Sequence, residues 1–209
     1  MNIDIIHQDE YLIAVNKPPG LLSVPGRGPH NQDCAISRVQ QKFPNSRTIH
    51  RLDMATSGIL LIAQNVDSLR AFSKLFETRN INKHYVAVVE GMPESDAGEV
   101  NLPLICDWPN RPKQMVCHET GKSAQTAFRI LERDHEHNRT RLELIPLTGR
   151  SHQLRVHMLE LGHPILGDQF YGTEQSRKAA NRLLLHANRL EFIHPFTGLK
   201  IKLEEPAKF

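Results

Sequence analysis

The apolar residues of the chain fall into short runs and helically spaced sets, and these patterns predict its secondary structure. Short apolar or alternating runs predict strands at residues 2–6, 11–16, 58–63, 83–91, 126–131, 140–147, 183–193 and 199–203. Apolar positions three and four residues apart predict helices at residues 34–43, 67–77 and 151–161. Strands and helices alternate without a βαβ rhythm, so we predict an α+β fold with a mixed, mostly antiparallel sheet.

The later two helices are predicted to be amphipathic. The apolar stripe of the helix at 67–77 consists of Leu69, Phe72, Leu75 and Phe76, and the residues able to cap its start are Asn65 and Asp67. The stripe of the helix at 151–161 consists of Leu154, Met158 and Leu161. Gly162 is the expected C-terminal stop of that helix, and Arg155 lies off its apolar stripe.

Residues 92–122 have the weakest pattern of the chain. Three of the thirteen prolines fall between Pro103 and Pro112, so we predict a long irregular insertion, a kind of segment that is usually functional or mobile. The Thr120–Ser123 tetrad imitates the end of a phosphate-binding loop, but the first glycine of that motif is replaced by Val116. We expect one domain over residues 1–209, since no boundary signal interrupts the pattern.

The composition limits the class of protein but does not identify its function. The 209 residues are 39% hydrophobic and 23% charged, with a net charge of +3 and a pI near 8.8, which is compatible with binding nucleic acid. No apolar run is long enough to cross a membrane, and no signal-peptide core is present. The three scattered cysteines fit reduced thiols, so we expect a cytoplasmic protein.

The stretch from Ile49 to Ala63 carries the strongest chemical signal. Its second half is the predicted strand at 58–63, and Thr56–Gly58 are predicted to form a tight turn that leads into it. Arg51 and Asp53 precede the turn, and a carboxylate at the mouth of a core strand needs a partner. From the residues alone, Asp53 is either a functional carboxylate or a turn residue that caps backbone amides.

The sequence gives little support for a metal site or for a hydrolase active site. Among the twelve histidines, His152 and His157 are five residues apart, which on a helix turns them by about 140° rather than onto one face. No Gly-x-Ser-x-Gly nucleophile elbow is present. We therefore expect no metal and no cofactor.

The complete string His50-Arg51-Leu52-Asp53-x-x-Thr56-Ser57-Gly58, followed by an apolar strand, resembles the catalytic motif of the RluA-type pseudouridine synthases. Further stretches that resemble the family are Asn16–Gly20, Lys83–Ala87, Thr148–His157, Gly162–Asp168 and Leu183–Ala187. The stretch Leu102–Lys113 resembles members that act on both ribosomal and transfer RNA. No S4-type RNA-binding domain is expected before the catalytic region.

The resemblance implies the catalytic fold of this family and a role for several residues. Asp53 would be the catalytic carboxylate, acting as nucleophile or base, Arg155 would face it, and Tyr85 would help to remove the proton from carbon 5 of the uracil. Arg51 would fill the stack that the flipped uridine leaves. The other RNA contacts expected are His50, Arg27, Lys113 and Arg150.

The implied substrates are uridines in 23S rRNA and in the anticodon stem-loop of tRNA. We expect a monomer with no obligate protein partner and no membrane association. Two other functions stay open at this stage: a non-catalytic RNA-binding module on the same scaffold, and a metal-dependent hydrolase that uses Asp53 and histidines. For Tyr85 and Arg155, ordinary positions in a strand core and on a helix surface are the corresponding alternatives.

Overall fold

The computed structural model of the chain describes residues 3–209. The strands in this range are β1 (Asp4–Gln8), β2 (Leu12–Lys17), β3 (Arg47–Thr48), β4 (Ser57–Ala63), β5 (Ile81–Glu90), β6 (Ala97–Asn101), β7 (Leu104–Cys106), β8 (Gln114–Val116), β9 (Gln125–Asp134), β10 (Arg139–Pro146), β11 (Leu185–Ile193) and β12 (Lys200–Glu204). The helices are α1 (Ala35–Gln40), α2 (Val66–Glu77), α3 (Gln153–Glu160) and α4 (Glu174–Lys178), with 3-10 turns at Pro29–Asn31 and Trp108–Asn110. Residue 2 of the first predicted strand lies outside the described range.

The described residues divide into two compact units. The first unit takes the chain up to Lys83 and the segment His186–Lys208, and the second takes His84–Leu185 and Phe209. The boundaries fall inside β5 and one residue into β11. The expectation of a single domain stays a prediction.

In the first unit the strand order is β1-β2-β4-β11, with β3 beside β4 and β12 beside β11. The β4–β11 pair is parallel and the remaining pairs of this unit are antiparallel. All seven residues of β4 are buried, as expected for a strand covered on both faces. On one face, Ile59 and Leu61 pack with the fully buried Phe72 of α2. The predicted mixed, mostly antiparallel sheet is confirmed.

Helix α2 begins at Val66, one residue before its predicted start. The side chain of Asn65 accepts a hydrogen bond from the backbone N–H of Ser68 at 2.9 Å, so Asn65 rather than Asp67 is the cap. The cap matters for the candidate site because α2 places Phe72 and Phe76 under the loop that precedes β4.

In the second unit the strand order is β5-β10-β9-β6, with every pair antiparallel, and β7 and β8 form a separate hairpin. The predicted irregular insertion at 92–122 is therefore wrong, because it contains β6, β7, β8 and a 3-10 turn. The short helix α4 was also not predicted. Leu104 of the hairpin and Val156 of α3 share a small apolar core with Ala124 and Tyr171. Among residues 3–209, no helix combines the length and the apolar character required to span a membrane.

Candidate active-site residues

Asp53 lies in the loop between β3 and β4, in the first unit. The loop turns at Met54 and Ala55, where the N–H of Thr56 donates to the carbonyl of Asp53 at 3.1 Å. The turn therefore lies earlier in the chain than the predicted turn at Thr56–Gly58, whose position is wrong. Ser57 and Gly58 already belong to β4, because they pair with β11.

The residue before Asp53 is fixed by a side chain from a distant loop. The hydroxyl of Ser23 donates to the carbonyl of Leu52 at 2.7 Å and accepts from the N–H of Leu52 at 3.0 Å. The backbone N–H and carbonyl of Leu52 are therefore both satisfied by one buried serine, which leaves the backbone little freedom to rotate.

The residue after Asp53 is fixed by a buried lysine. Lys17 is fully buried, and its ammonium donates to the carbonyls of Pro18 at 2.9 Å, Leu21 at 2.7 Å and Met54 at 3.1 Å. A buried charge is tolerated where hydrogen bonds replace its hydration, and here backbone oxygens do so. The Lys17 ammonium was not predicted as part of the site, although it stands in the Asn16–Gly20 stretch that resembles the family.

The N–H of Gly20 also donates to the carbonyl of Met54, at 2.8 Å. Asp53 consequently sits between two residues whose backbones are held from outside the loop. Its side chain is half-buried, whereas Arg51, two residues earlier, is exposed. This arrangement presents a carboxylate on a fixed backbone close in sequence to an exposed cation.

The base of the loop tolerates no side chain at one position. Gly58 has a φ of +110°, and a Cβ built on it would lie 2.3 Å from the carbonyl oxygen of Ala187 in β11. Next to it, the Ser57 hydroxyl lies 2.8 Å from Nδ1 of His186, whose Nε2 donates to the carbonyl of Glu205 at 2.9 Å. These contacts join the start of β4 to β11 within the first unit.

His50 supports the loop as a neutral ring. Its Nε2 accepts a hydrogen bond from the N–H of Leu61 at 3.0 Å, and its ring stacks on Phe76 with centroids 4.6 Å apart. Burial, together with the nearby charge of Lys83, lowers the pKa of His50 to about 3. Any contact between His50 and RNA would therefore be made by an uncharged imidazole.

Tyr85 and Arg155 lie in the second unit. Tyr85 is half-buried on β5, opposite Leu144 of β10. Arg155 is on α3 and is only 3% exposed, so the alternative of a plain surface arginine is wrong. Burial without a partner would be costly for a guanidinium, and the structure provides partners.

Asp168 is the partner of Arg155 within this unit. The Arg155 Nε donates to one carboxylate oxygen at 2.7 Å and Nη2 donates to the other at 2.6 Å, and Asp168 is 1% exposed. The rings of Phe170 and Tyr171 each lie 5.1 Å from the guanidinium carbon. Asp168 was not among the predicted site residues, although it closes the Gly162–Asp168 stretch that resembles the family.

Tyr171 also connects this arginine to the β7–β8 hairpin. Its hydroxyl accepts a hydrogen bond from the N–H of Gln114 at 2.7 Å and lies 2.7 Å from Nδ1 of His152. His152 has a left-handed backbone, with φ of +53°, which is uncommon for a residue other than glycine. The turn before α3 is therefore held in an unusual conformation by side-chain contacts.

The remaining predicted RNA contacts are dispersed over the two units. Arg27 is exposed in a loop of the first unit. Lys113 is partly exposed near the tip of the β7–β8 hairpin, in the second unit. Arg150 is exposed in the same unit, and its Nε donates to the carbonyl of Ser123 at 3.1 Å.

Potential metal ligands are not clustered in the part of the chain that the structure covers. Among residues 3–209, no three histidine, cysteine, aspartate or glutamate side chains are placed so that they could hold one ion. The expectation of a metal-free enzyme remains a prediction.

Comparison with known proteins identifies the family. A model of the RNA pseudouridylate synthase family matches residues 11–160. The chain belongs to this family, and it is an RNA pseudouridine synthase, an isomerase. The family membership that the sequence predicts is thereby confirmed.

Similar proteins extend over nearly the whole chain. The dual-specificity RNA pseudouridine synthase RluA of Yersinia pestis is 51% identical over 205 residues, which cover 98% of this chain and 99% of the relative. RluA of Escherichia coli strain K12 is 51% identical over 205 residues, or 98% and 93% of the two chains. The solved structure of human RNA pseudouridylate synthase domain containing 1 is 26% identical, with a TM-score of 0.81 over 98% of this chain and 83% of that one.

Proposed function

We propose that this enzyme has dual specificity and converts uridines to pseudouridine both in 23S rRNA and in the anticodon stem-loop of tRNA. The relatives from Yersinia pestis and Escherichia coli are named dual-specificity enzymes. The observation that carries the catalytic part of the proposal is the immobilised loop, in which Leu52 and Met54 are held on either side of Asp53. Reactions of this kind depend on a reacting group whose position is set in advance.

The chemistry requires no electrons from outside. The bond between the ribose and nitrogen 1 of the uracil breaks, the base rotates, and a bond to carbon 5 forms. Carbon 5 then loses its proton, and nitrogen 1 gains one, so substrate and product have the same composition. In the proposed assignment Asp53 is the nucleophile or the base that starts the reaction.

Arg155 and Tyr85 complete the proposed catalytic set. A buried guanidinium held by Asp168 and two aromatic rings supplies a positive charge that cannot be lost at physiological pH. We assign it the stabilisation of the charged Asp53. Tyr85, or a water that it holds, is assigned the removal of the carbon 5 proton.

RNA recognition is assigned to the exposed cations. Arg51 is proposed to enter the stack in place of the flipped uridine, because flipping costs a few kcal/mol that an inserted side chain partly recovers. Arg27, Lys113 and Arg150 are proposed to bind phosphates, and affinity should fall as salt rises because such contacts release counterions. His50 would touch RNA only as a neutral ring. The protein is further proposed to act as a monomer in the cytoplasm, without an obligate protein partner.

The test is the nearly isosteric variant Asp53→Asn, compared with wild type on anticodon-arm and 23S rRNA hairpins that contain 5-tritiated uridine. We expect tritium release to fall by several orders of magnitude on both hairpins while RNA affinity is kept. Asn45→Asp, an exposed change in the preceding loop, is the matched control and should leave tritium release unchanged.

Three results would contradict the assignment. Asp53→Asn activity within a few-fold of wild type would make Asp53 a turn residue, since asparagine caps almost as well. RNA binding by wild type without any tritium release would indicate a binding module. Loss of turnover in excess EDTA that zinc restores would mean that the reaction needs a metal.

A further inference from the structure

Trp108 stands exposed at the tip of the β7–β8 hairpin. It is 64% exposed, and the guanidinium carbon of Arg111 lies 4.6 Å from the centre of its ring. An indole exposed to this extent leaves a large flat aromatic face available to a ligand. Stacking by Arg111 covers one part of the ring. The Trp108–Arg111 pair therefore combines an exposed aromatic surface with a positive charge.

The tip of the hairpin has a defined backbone. The N–H of Asp107 donates to the carbonyl of Lys113 at 3.0 Å, and the N–H of Lys113 donates to the carbonyl of Asn110 at 3.1 Å. The side-chain amide of Asn110 donates to the Asp107 carboxylate at 2.9 Å, which occupies the one acidic group of the tip. The loop thus orders Trp108 before any ligand arrives, and this lowers the entropy cost of binding.

The hairpin is also attached firmly to the helix that carries Arg155. Leu104 and Lys122 exchange two backbone hydrogen bonds, at 3.0 and 2.8 Å. Leu104 packs with Val156 and Tyr171, and the Tyr171 hydroxyl receives the N–H of Gln114 at 2.7 Å. Within the second unit, the hairpin that carries Trp108 and Arg111 is therefore fixed relative to α3.

The charge of the surroundings points to the occupant. Arg111 and Lys113 lie in the same loop as the indole, and both are at least partly exposed. A polyanion with flat apolar groups complements this surface better than an apolar protein segment does. Unpaired bases of RNA stack on aromatic side chains and on arginine planes in this way.

We infer that Trp108 and Arg111 form a stacking site for an unpaired nucleobase of the RNA substrate, separate from the uridine that reacts. The site reads the flat face of a base, so it favours single-stranded loops over any particular base edge. This inference rests on the proposed function, since it places a second base of the same RNA in the second unit.

The chain contains one tryptophan, so its fluorescence reports on this site alone. Titration of the wild-type enzyme with the anticodon-arm hairpin should quench the indole emission, because a stacked base contacts the ring. Inorganic polyphosphate, which carries charge but no bases, should bind the cations and leave the emission nearly unchanged. Equal quenching by both polyanions, or none by the hairpin, would overturn the inference.

Kinetic measurements on the same hairpin provide a second test of the stacking site. Trp108→Ala should raise KM about 10-fold, within the range for loss of one stacked base, with kcat within about twofold of wild type. Trp108→Phe should keep most of the affinity because a phenyl ring still stacks. Leu199→Ala is the matched control, since Leu199 is likewise 64% exposed but lies on the first unit.

The outcomes separate this inference from the proposed function. An unchanged KM for Trp108→Ala, while wild type releases tritium normally, would overturn the stacking site and leave the enzyme assignment intact. Wild type that quenches on the hairpin but releases no tritium would contradict the assigned activity and still support base stacking at Trp108.

Discussion

The ammonium of Lys17 lies 3.1 Å from the carbonyl oxygen of Met54, the residue that follows Asp53. Lys17 belongs to β2, in the core of the first unit, so a strand interior sets the position of a loop at the surface. With Ser23 holding Leu52, the carbonyls of the residues before and after Asp53 both accept hydrogen bonds from side chains that do not belong to the loop.

Lys17→Met should remove this support. The carbonyls of Pro18, Leu21 and Met54 lose a charged donor, and that of Met54 keeps a second donor, the N–H of Gly20. An unsatisfied buried acceptor costs about 1–3 kcal/mol. We expect the free energy of unfolding to fall by about 3 kcal/mol and kcat to fall about 100-fold, as a displaced reacting group would cause. Urea unfolding and tritium release measure the two effects. Full kcat in a folded variant would show that Lys17 does not position the loop, and Lys74→Met is the exposed control.

Asp168→Asn tests the buried pair in the second unit. Arg155 would keep its charge and lose the carboxylate that accepts from Nε and Nη2. Removing one partner of a buried pair typically costs about 3–5 kcal/mol of unfolding free energy. Asp96→Asn is the control, because its pair with Arg133 leaves Asp96 84% exposed and should be worth less than about 1 kcal/mol. Similar losses in the two variants, measured in urea, would contradict the structural argument.

Lys83 should make the protein more stable as pH rises above neutrality. Burial, with the charge of Arg79 nearby, lowers the pKa of Lys83 from 10.5 to about 8. Between pH 8 and pH 10.5 the unfolded chain therefore binds more protons than the folded one, and the free energy of unfolding increases with pH. Relative to Lys83→Met, wild type should gain about 3 kcal/mol over this window. A flat difference between the two proteins in urea titrations would rule out the depressed pKa.

Arg51→Ala should affect structured RNA more than flexible RNA. The exposed Arg51 is assigned to fill a stack, and a flexible loop has no ordered stack to fill. We expect a drop in kcat/KM of about 10- to 100-fold on a stable hairpin and a smaller one on a hairpin with a weakened stem. Arg27→Ala should reduce kcat/KM by the same factor on both hairpins. Equal losses for Arg51→Ala would make this residue a general electrostatic contact.

The positions of the main strands, the approximate start of α2 and the catalytic stretch could be predicted because each depends on nearby residues. The position of the turn after Asp53 could not, because Ser57 and Gly58 are drawn into β4 by His186 and Ala187, more than a hundred residues away. The roles of Lys17 and Ser23 depend in the same way on contacts between distant segments, which spacing along the chain does not reveal.

Two other failures have physical causes in the second unit. Residues 92–122 form strands of three to five residues, too short for apolar alternation to stand out among prolines. The surface position left open as the alternative for Arg155 is also wrong, although this residue lies off the apolar stripe of α3. The helix is buried on several faces, including Gln153 and His157, and a polar residue there reflects a partner elsewhere rather than solvent.

Gly58 limits how the catalytic loop can change during evolution. Every other amino acid carries a Cβ, and at this position the Cβ would lie 2.3 Å from the carbonyl oxygen of Ala187. Every substitution of Gly58 therefore produces the same steric clash. A saturation library scored for pseudouridine formation should accordingly return glycine alone at position 58. Neighbouring Met54, which is 54% exposed and contributes only its carbonyl to the loop contacts, should accept many side chains.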